Sequence, residues 1–132
     1  MLDTNVLSEL RKRTPAQPVA EWFAGTRADG LYVSVLVVGE IRQGVERLRG
    51  RDPSQAVVFE RWLDGLGREF ADRVLPVDLA VAQTWGRVSA AAPLPVVDAL
   101  LAATALVHGL TLVTRDEGML RESGVWVLNP WL

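Results

Sequence analysis

The chain has 132 residues, with 16 acidic and 14 basic side chains and a formal net charge of −2 at pH 7. It has no cysteine and a single histidine, His108, which excludes disulfides, thiol catalysis and a conventional zinc site. The single lysine, Lys12, and the lack of a GxxxxGK motif exclude Walker-A nucleotide chemistry. A protein that holds nucleic acid by bulk charge is usually basic, so carboxylate chemistry is the function class that remains.

The length and the apolar content predict one domain over residues 1–132 with a well-filled core. Apolar residues make up 49% of the chain, and a chain of this size buries roughly two thirds of its unfolded surface. No apolar run approaches the ~18 residues that span a bilayer. Asp3 follows almost directly on Met1, and the sequence is therefore predicted to carry no signal peptide. These features predict a cytoplasmic protein.

Short apolar runs alternate with amphipathic stretches along the chain, which is typical of an α/β fold with a parallel sheet. The apolar runs predict five short strands, at residues 1–3, 31–34, 73–76, 110–113 and 125–128. The amphipathic stretches predict helices at residues 4–13, 18–25, 35–49, 54–70, 79–91, 95–108 and 116–122. Pro95 is expected to open the helix that ends at His108, and Gly109 to terminate it.

Four acidic residues stand where predicted strands lead into helices. Asp3 follows the first strand and Asp116 follows the fourth, while Glu40 and Asp98 lie near the starts of helices. Ligands in an open α/β sheet bind beyond the carboxyl ends of its strands, so we expect these four carboxylates to lie together. Such a cluster repels itself unless a cation is bound. Ligation by oxygen alone favours Mg²⁺ or Mn²⁺.

Each of the four acids also has an ordinary structural explanation. Asp3 and Asp116 are suited to capping a helix N-terminus. Asp98 would interact favourably with the dipole of its own helix from the first turn. Glu40 is compatible with a solvated surface position near Arg47. Taken singly, none of the four therefore identifies a site.

Four segments, in order along the chain, resemble the PIN-domain family, and the ending resembles its VapC/FitB-like toxin branch. The segments and the ending are Leu2-Asp3-Thr4-Asn5, Val38-Gly39-Glu40-Ile41, Asp98-Ala99, Thr114-Arg115-Asp116 and Leu128-Asn129-Pro130-Trp131. The resemblance implies a single PIN-like domain. It also implies a three-layer α/β/α sandwich with a central parallel sheet of about five short strands.

The same resemblance implies a metal-dependent endoribonuclease that acts as the toxin of a type II VapBC toxin–antitoxin pair. The family pattern makes Asp3, Glu40, Asp98 and Asp116 the catalytic cluster. It makes Asp3 and Asp98 the principal ligands of Mg²⁺, for which Mn²⁺ can substitute. The implied partners are an RNA substrate, a VapB-like antitoxin and a second copy of the chain, with no membrane.

Polar residues beside the acids, Thr4, Asn5 and Thr114, are expected either to orient the acids through hydrogen bonds or to cap helices. Two basic clusters, Arg11-Lys12-Arg13 and Arg47 with Arg49 and Arg51, are expected to contact RNA phosphates, unless they are simply solvated. The tryptophans are expected to pack against apolar surface; they are Trp22, Trp62, Trp85, Trp126 and Trp131.

The competing hypothesis is a catalytically weak PIN-fold module that binds RNA or regulates through interaction. Four acids in one cluster argue against it, since a binding module gains nothing from negative charge beside RNA. The apolar helices around residues 19–23 and 54–70 are expected to form an interface with a partner.

Overall fold

The computed structural model describes the backbone of all 132 residues and every side chain except that of Met119. Over this described chain there are six α-helices: α1 (Thr4–Arg11), α2 (Gln17–Ala24), α3 (Val35–Arg49), α4 (Pro53–Glu69), α5 (Leu79–Ala91) and α6 (Val96–His108). The same residues form four strands: β1 (Val33–Ser34), β2 (Val74–Leu75), β3 (Leu112–Val113) and β4 (Val127–Leu128). Short 3-10 helices lie at Ala28–Gly30 and Met119–Ser123.

The amino-terminal residues 1–3 join two parallel strand pairs into one surface. β1 pairs with β2, and β3 pairs with β4. On one side the Leu2 amide donates to the Tyr32 carbonyl at 2.9 Å. On the other side the Asp3 amide donates to the Val113 carbonyl at 2.9 Å, and Leu2 forms a parallel bridge with Val113. The resulting order is β2, β1, residues 1–3, β3 and β4.

The α/β fold class is confirmed, although the strands are fewer and shorter than predicted. Across the described chain there are four strands of two residues each, and residues 1–3 contribute only a bridge. The side chains of Asp3 and Ser34 accept hydrogen bonds from Thr4 N and Leu36 N, capping α1 and α3. Because these caps start a helix directly after Asp3 and Ser34, residues 1–3 and β1 cannot extend further toward the carboxyl terminus.

The helices pack in two groups, which form the outer layers of the sandwich. α3 packs on α4 and contacts α1, which in turn contacts α2, while α5 packs on α6. One apolar core joins the layers, and Leu2, Leu101 and Leu112 are among its largest fully buried side chains. In the part of the chain that the structure describes, no helix is long and apolar enough to cross a membrane.

The predicted helices are present, with one change near the carboxyl terminus. α3 and α5 have the predicted bounds and the other α-helices agree within two residues, but the helix predicted at 116–122 is instead the 3-10 turn Met119–Ser123. The prediction that Trp126 packs is wrong, since this residue is 81% exposed. Side chains alternate between faces in extended chain, and Val125 takes the buried face.

Gly109 ends α6 in the left-handed conformation, with φ of 64°, as predicted from the sequence. A Cβ atom added there would meet open space, so the backbone conformation alone sets the cost of a side chain. We therefore expect Gly109→Ala to lower the free energy of unfolding by about 1 kcal/mol, measured by urea denaturation. The control, Gly86→Ala within α5, also meets open space and is expected to stabilise by up to about 1 kcal/mol. Equal effects of the two substitutions would contradict this explanation.

Candidate active site

Asp3 is the most buried of the four predicted acids, with 8% of its surface exposed. Its Oδ1 accepts a hydrogen bond from the Thr4 amide at 2.7 Å, and its Oδ2 accepts one from the Thr114 hydroxyl at 2.7 Å. Burial raises the pKa of Asp3; the two hydrogen bonds act in the opposite direction, and the charge of Asp116 raises the pKa further. Asp3 thus caps a helix, while burial and the charge of Asp116 make its ionised form less favourable.

A small hydrogen-bond network connects Asp3 to Asp116. The hydroxyl oxygen of Thr114, besides donating to Asp3, accepts from the Asp116 amide at 3.1 Å and from Asn5 Nδ2 at 3.3 Å. Asn5 Nδ2 also lies 3.4 Å from Asp116 Oδ2, and Asn5 Oδ1 accepts from the Arg115 amide at 3.4 Å. The structure therefore contains the hydrogen bonds that the predicted orienting role of Asn5 and Thr114 requires.

Glu40 reaches the same region from α3. The Thr4 hydroxyl donates to Glu40 Oε1 at 3.0 Å, although the two residues are 36 positions apart. Burial raises the pKa of Glu40, the Thr4 hydrogen bond lowers it, and the charges of Asp3 and Asp98 raise it again. Thr4 therefore links Glu40 to Asp3, because its amide bonds one acid and its hydroxyl the other.

Asp98 completes the cluster from the first turn of α6, where it is half-buried. Burial raises its pKa, and the charges of Asp3 and Asp116 raise it further. The structure thus brings together all four predicted acids, at the edge where β3 and the residues 1–3 lead into helices. The arrangement concentrates negative charge that is costly in the absence of a counter-ion.

The donor set of this acidic cluster (Asp3, Glu40, Asp98 and Asp116) suits a hard divalent cation. Among the described side chains, no group of three or more acidic or histidine residues is arranged so that it could hold a metal ion. Mg²⁺ commonly keeps several waters and takes only one or two protein carboxylates. A bound cation would also relieve the mutual repulsion of the acids. The donor set, which offers oxygen ligands only, therefore suits a hard divalent cation held by one or two of these carboxylates.

Half of the basic residues predicted to contact phosphates have partners within the chain. The Arg11 guanidinium lies over the Phe59 ring, 3.7 Å from its centre. Lys12 Nζ bonds Glu9 at 2.9 Å, and Arg49 is paired with one glutamate of α3 and one of α4. Arg11 and Arg49 therefore connect helices to one another, whereas Lys12 pairs with a residue of the helix that it follows.

Sequence reasoning missed one basic residue beside the acidic cluster. The Arg115 guanidinium lies 5.1 Å from the centre of the Trp131 ring, which gives a cation–π contact. Its position between Thr114 and Asp116 was a signal in the sequence, since a residue flanked by two site residues cannot be far from the site. The contact between Arg115 and Trp131 could be seen only in the folded structure.

The fold and the cluster define an α/β protein with a carboxylate site at the carboxyl edge of a parallel sheet. A family model described as "PIN domain" matches residues 1–123. The chain belongs to the PIN-domain family.

Curated relatives and a solved structure match almost the whole chain. The "VapC ribonuclease Y4jK" of Sinorhizobium fredii is 33% identical over 99% of this chain and 96% of its own length. The "Toxin FitB" of Neisseria gonorrhoeae is 35% identical over 99% of this chain and 97% of its own length. The crystal structure of FitAcB from Neisseria gonorrhoeae superposes with a TM-score of 0.89 at 35% identity, covering 98% of this chain and 96% of that one.

Proposed function

We propose that residues 1–132 act as a single PIN-like domain and that the protein is a magnesium-dependent endoribonuclease, the toxin of a type II toxin–antitoxin pair. The observation that carries this proposal is the meeting of Asp3, Glu40, Asp98 and Asp116 at one edge of the sheet, with the pKa values of the first three raised. The similarity to relatives named as a ribonuclease and a toxin supports it.

Asp3 and Asp98 are the residues that would hold Mg²⁺, with Mn²⁺ as a substitute. When bound, the ion would act as a Lewis acid toward the scissile phosphate and would lower the pKa of a water. Glu40 or Asp116 would accept a hydrogen bond from the attacking water and orient it. Thr114 and Thr4 hold Asp3 and Glu40 in place, so that the carboxylates need not reorganise during the reaction.

The partners in this proposal are RNA, a VapB-like antitoxin and a second copy of the chain, all in the cytoplasm. A groove of about 400 Å³ between α1, α2 and α4 supports the antitoxin partner, because leucines and aromatic rings line most of it. Phe23, at 37% exposed, and Val58, at 48% exposed, leave apolar surface on the two helices for which an interface is predicted. Either protein partner would cover this surface.

The test is RNA cleavage by purified protein from which any bound partner has been removed. With total RNA we expect discrete fragments in Mg²⁺ or Mn²⁺, none in EDTA, and recovery when Mg²⁺ is restored in excess. The fragments would also identify the target. RNA binding without cleavage under every metal condition would contradict the enzyme and support the weakly catalytic RNA-binding module.

A further inference from the structure

The acidic cluster lies between two grooves, and each groove contributes to its rim. One groove, of about 390 Å³, is lined by Glu40 of the cluster and by Thr4, and it continues to Arg51 and Phe59. The other, of about 540 Å³, shares Asp98 and Asp116 with the cluster and contains Arg115. Volumes of this size accept small organic ligands, so each groove has room for a molecule the size of a nucleotide.

Arg51 and Arg115 are the cations of these two grooves. Both are exposed, and neither forms an ion pair with any side chain that the structure describes. Arg115 also lies near enough to Glu9 to lower the pKa of that acid, but Glu9 is already hydrogen-bonded to Lys12 and to the Ala16 amide. Both guanidinium groups are therefore available to an anionic ligand.

Aromatic rings accompany both arginines. Trp62 lines the same groove as Arg51, as does Phe59, one face of which is covered by the Arg11 guanidinium. On the other side the Arg115 guanidinium makes a cation–π contact with Trp131, 5.1 Å from the centre of the ring. Unpaired bases stack on aromatic rings and on guanidinium planes, whereas bases in a duplex are already stacked on one another.

These features matter because the cluster itself repels phosphate. A strand that places one phosphodiester among four carboxylates needs cationic contacts close by to offset the repulsion. We propose that single-stranded RNA crosses the acidic cluster from one groove to the other, with Arg51 and Arg115 each contacting a phosphate on opposite sides of the cleaved bond. This inference rests on the proposed function and assigns its substrate path.

The experiment measures RNA binding separately from cleavage. Arg51→Ala and Arg115→Ala are made singly and together in an Asp98→Asn background, and binding of a fluorescent 12-residue single-stranded oligouridylate is followed by anisotropy at several salt concentrations. Each lost phosphate contact should make the plot of log affinity against log salt shallower by about 0.7 for a single strand. For the double variant this slope should therefore be shallower by about 1.4, and RNA should bind more weakly at low salt.

Two further variants act as controls. Arg87→Ala removes an exposed arginine of α5 that lines neither groove, so RNA binding should be unchanged. Arg115→Lys keeps the charge and should therefore retain the salt dependence of RNA binding that Arg115→Ala loses. The same arginine substitutions in the active protein should raise KM for RNA more than they lower kcat.

The outcomes separate this inference from the proposed function. If the double variant binds RNA like Arg87→Ala, or if the Asp98→Asn parent binds no single strand, the path is wrong. If RNA binding is unchanged while binding to a co-purified antitoxin weakens, the grooves hold a protein segment instead. If the double variant loses RNA binding but the wild-type protein cleaves no RNA, the proposed RNA path is supported and the proposed nuclease activity is contradicted.

Discussion

Asp98→Asn is expected to reduce RNA cleavage by at least about 100-fold while the protein stays folded. Loss of a partner that merely orients a metal ligand costs roughly 10- to 100-fold, and Asp98 is proposed as a ligand itself. The amide has the shape of the carboxylate, so the half-buried position in α6 tolerates it. Cleavage rates in saturating Mg²⁺, together with circular dichroism of both proteins, measure the effect.

The same substitution should stabilise the metal-free protein. Because burial and the neighbouring acids raise the pKa of Asp98 in the folded state, the folded protein holds its proton more tightly than the unfolded chain. Stability therefore falls as the pH rises from the unfolded pKa through the folded one. At neutral pH in EDTA the Asn variant lacks this cost, and we expect its Tm to exceed that of the wild type. Added Mg²⁺ should raise the Tm of the wild type more than that of the variant.

Asp64→Asn is the matched control for both effects. Asp64 is an exposed acid of α4 outside the cluster, so its replacement should leave the cleavage rate and the response to EDTA unchanged. Full cleavage activity in Asp98→Asn would remove Asp98 from the catalytic assignment. A metal-free Tm at or below that of the wild type would contradict the electrostatic argument.

Thr114→Val should impair the site although it replaces none of the four predicted acids. The substitution keeps the shape of the fully buried side chain but removes the hydroxyl that donates to Asp3 Oδ2 at 2.7 Å. We expect RNA cleavage to fall about 10- to 100-fold, because the carboxylate loses the contact that fixes it. The free energy of unfolding should fall by about 1–3 kcal/mol, since a buried acceptor is left unsatisfied.

Thr114→Ser separates this hydrogen bond from general packing. Serine restores the hydroxyl and loses only a methyl group, so most of the cleavage activity should return. Mn²⁺ affinity, measured by titration calorimetry, should weaken in the valine variant and recover in the serine variant. Equal losses in both variants would show that the methyl group, and not the hydroxyl, matters at this position.

The helices were predictable from the sequence because their signals are local. α3 carries apolar residues at Val37, Ile41 and Val45, all buried in the structure, and begins after the capping Ser34. The lengths of the strands were harder to predict from the sequence. Ser34 is both the last residue of β1 and the N-cap of α3, and its side chain accepts from Leu36 N. The sequence does not show where the strand ends when one residue serves both elements.

The acids of the candidate site could be predicted, whereas their connections could not. A carboxylate in an apolar stretch, such as Asp98, is visible in the sequence because burial of charge is costly. The contact of Thr114 with Asp3 joins residues 111 positions apart, so it depends on how β3 pairs with residues 1–3. The distribution of arginines is a similar case, since the stacking of Arg11 on Phe59 depends on the packing of α1 against α4.

The central place of residues 1–3 has a consequence for the order of events during synthesis. Residues 1–3 sit between two neighbours, one of which comes much later in the chain, and the carbonyl of Met1 accepts from the amide of Val113 at 2.8 Å. At about 5–20 residues per second, residues 1–3 wait several seconds before that neighbour is made. Thr114 and Asp116 follow it, so these two elements of the site become available only after the other acids have been made. A chain broken off within α6 would carry Asp3, Glu40 and Asp98 without an assembled site.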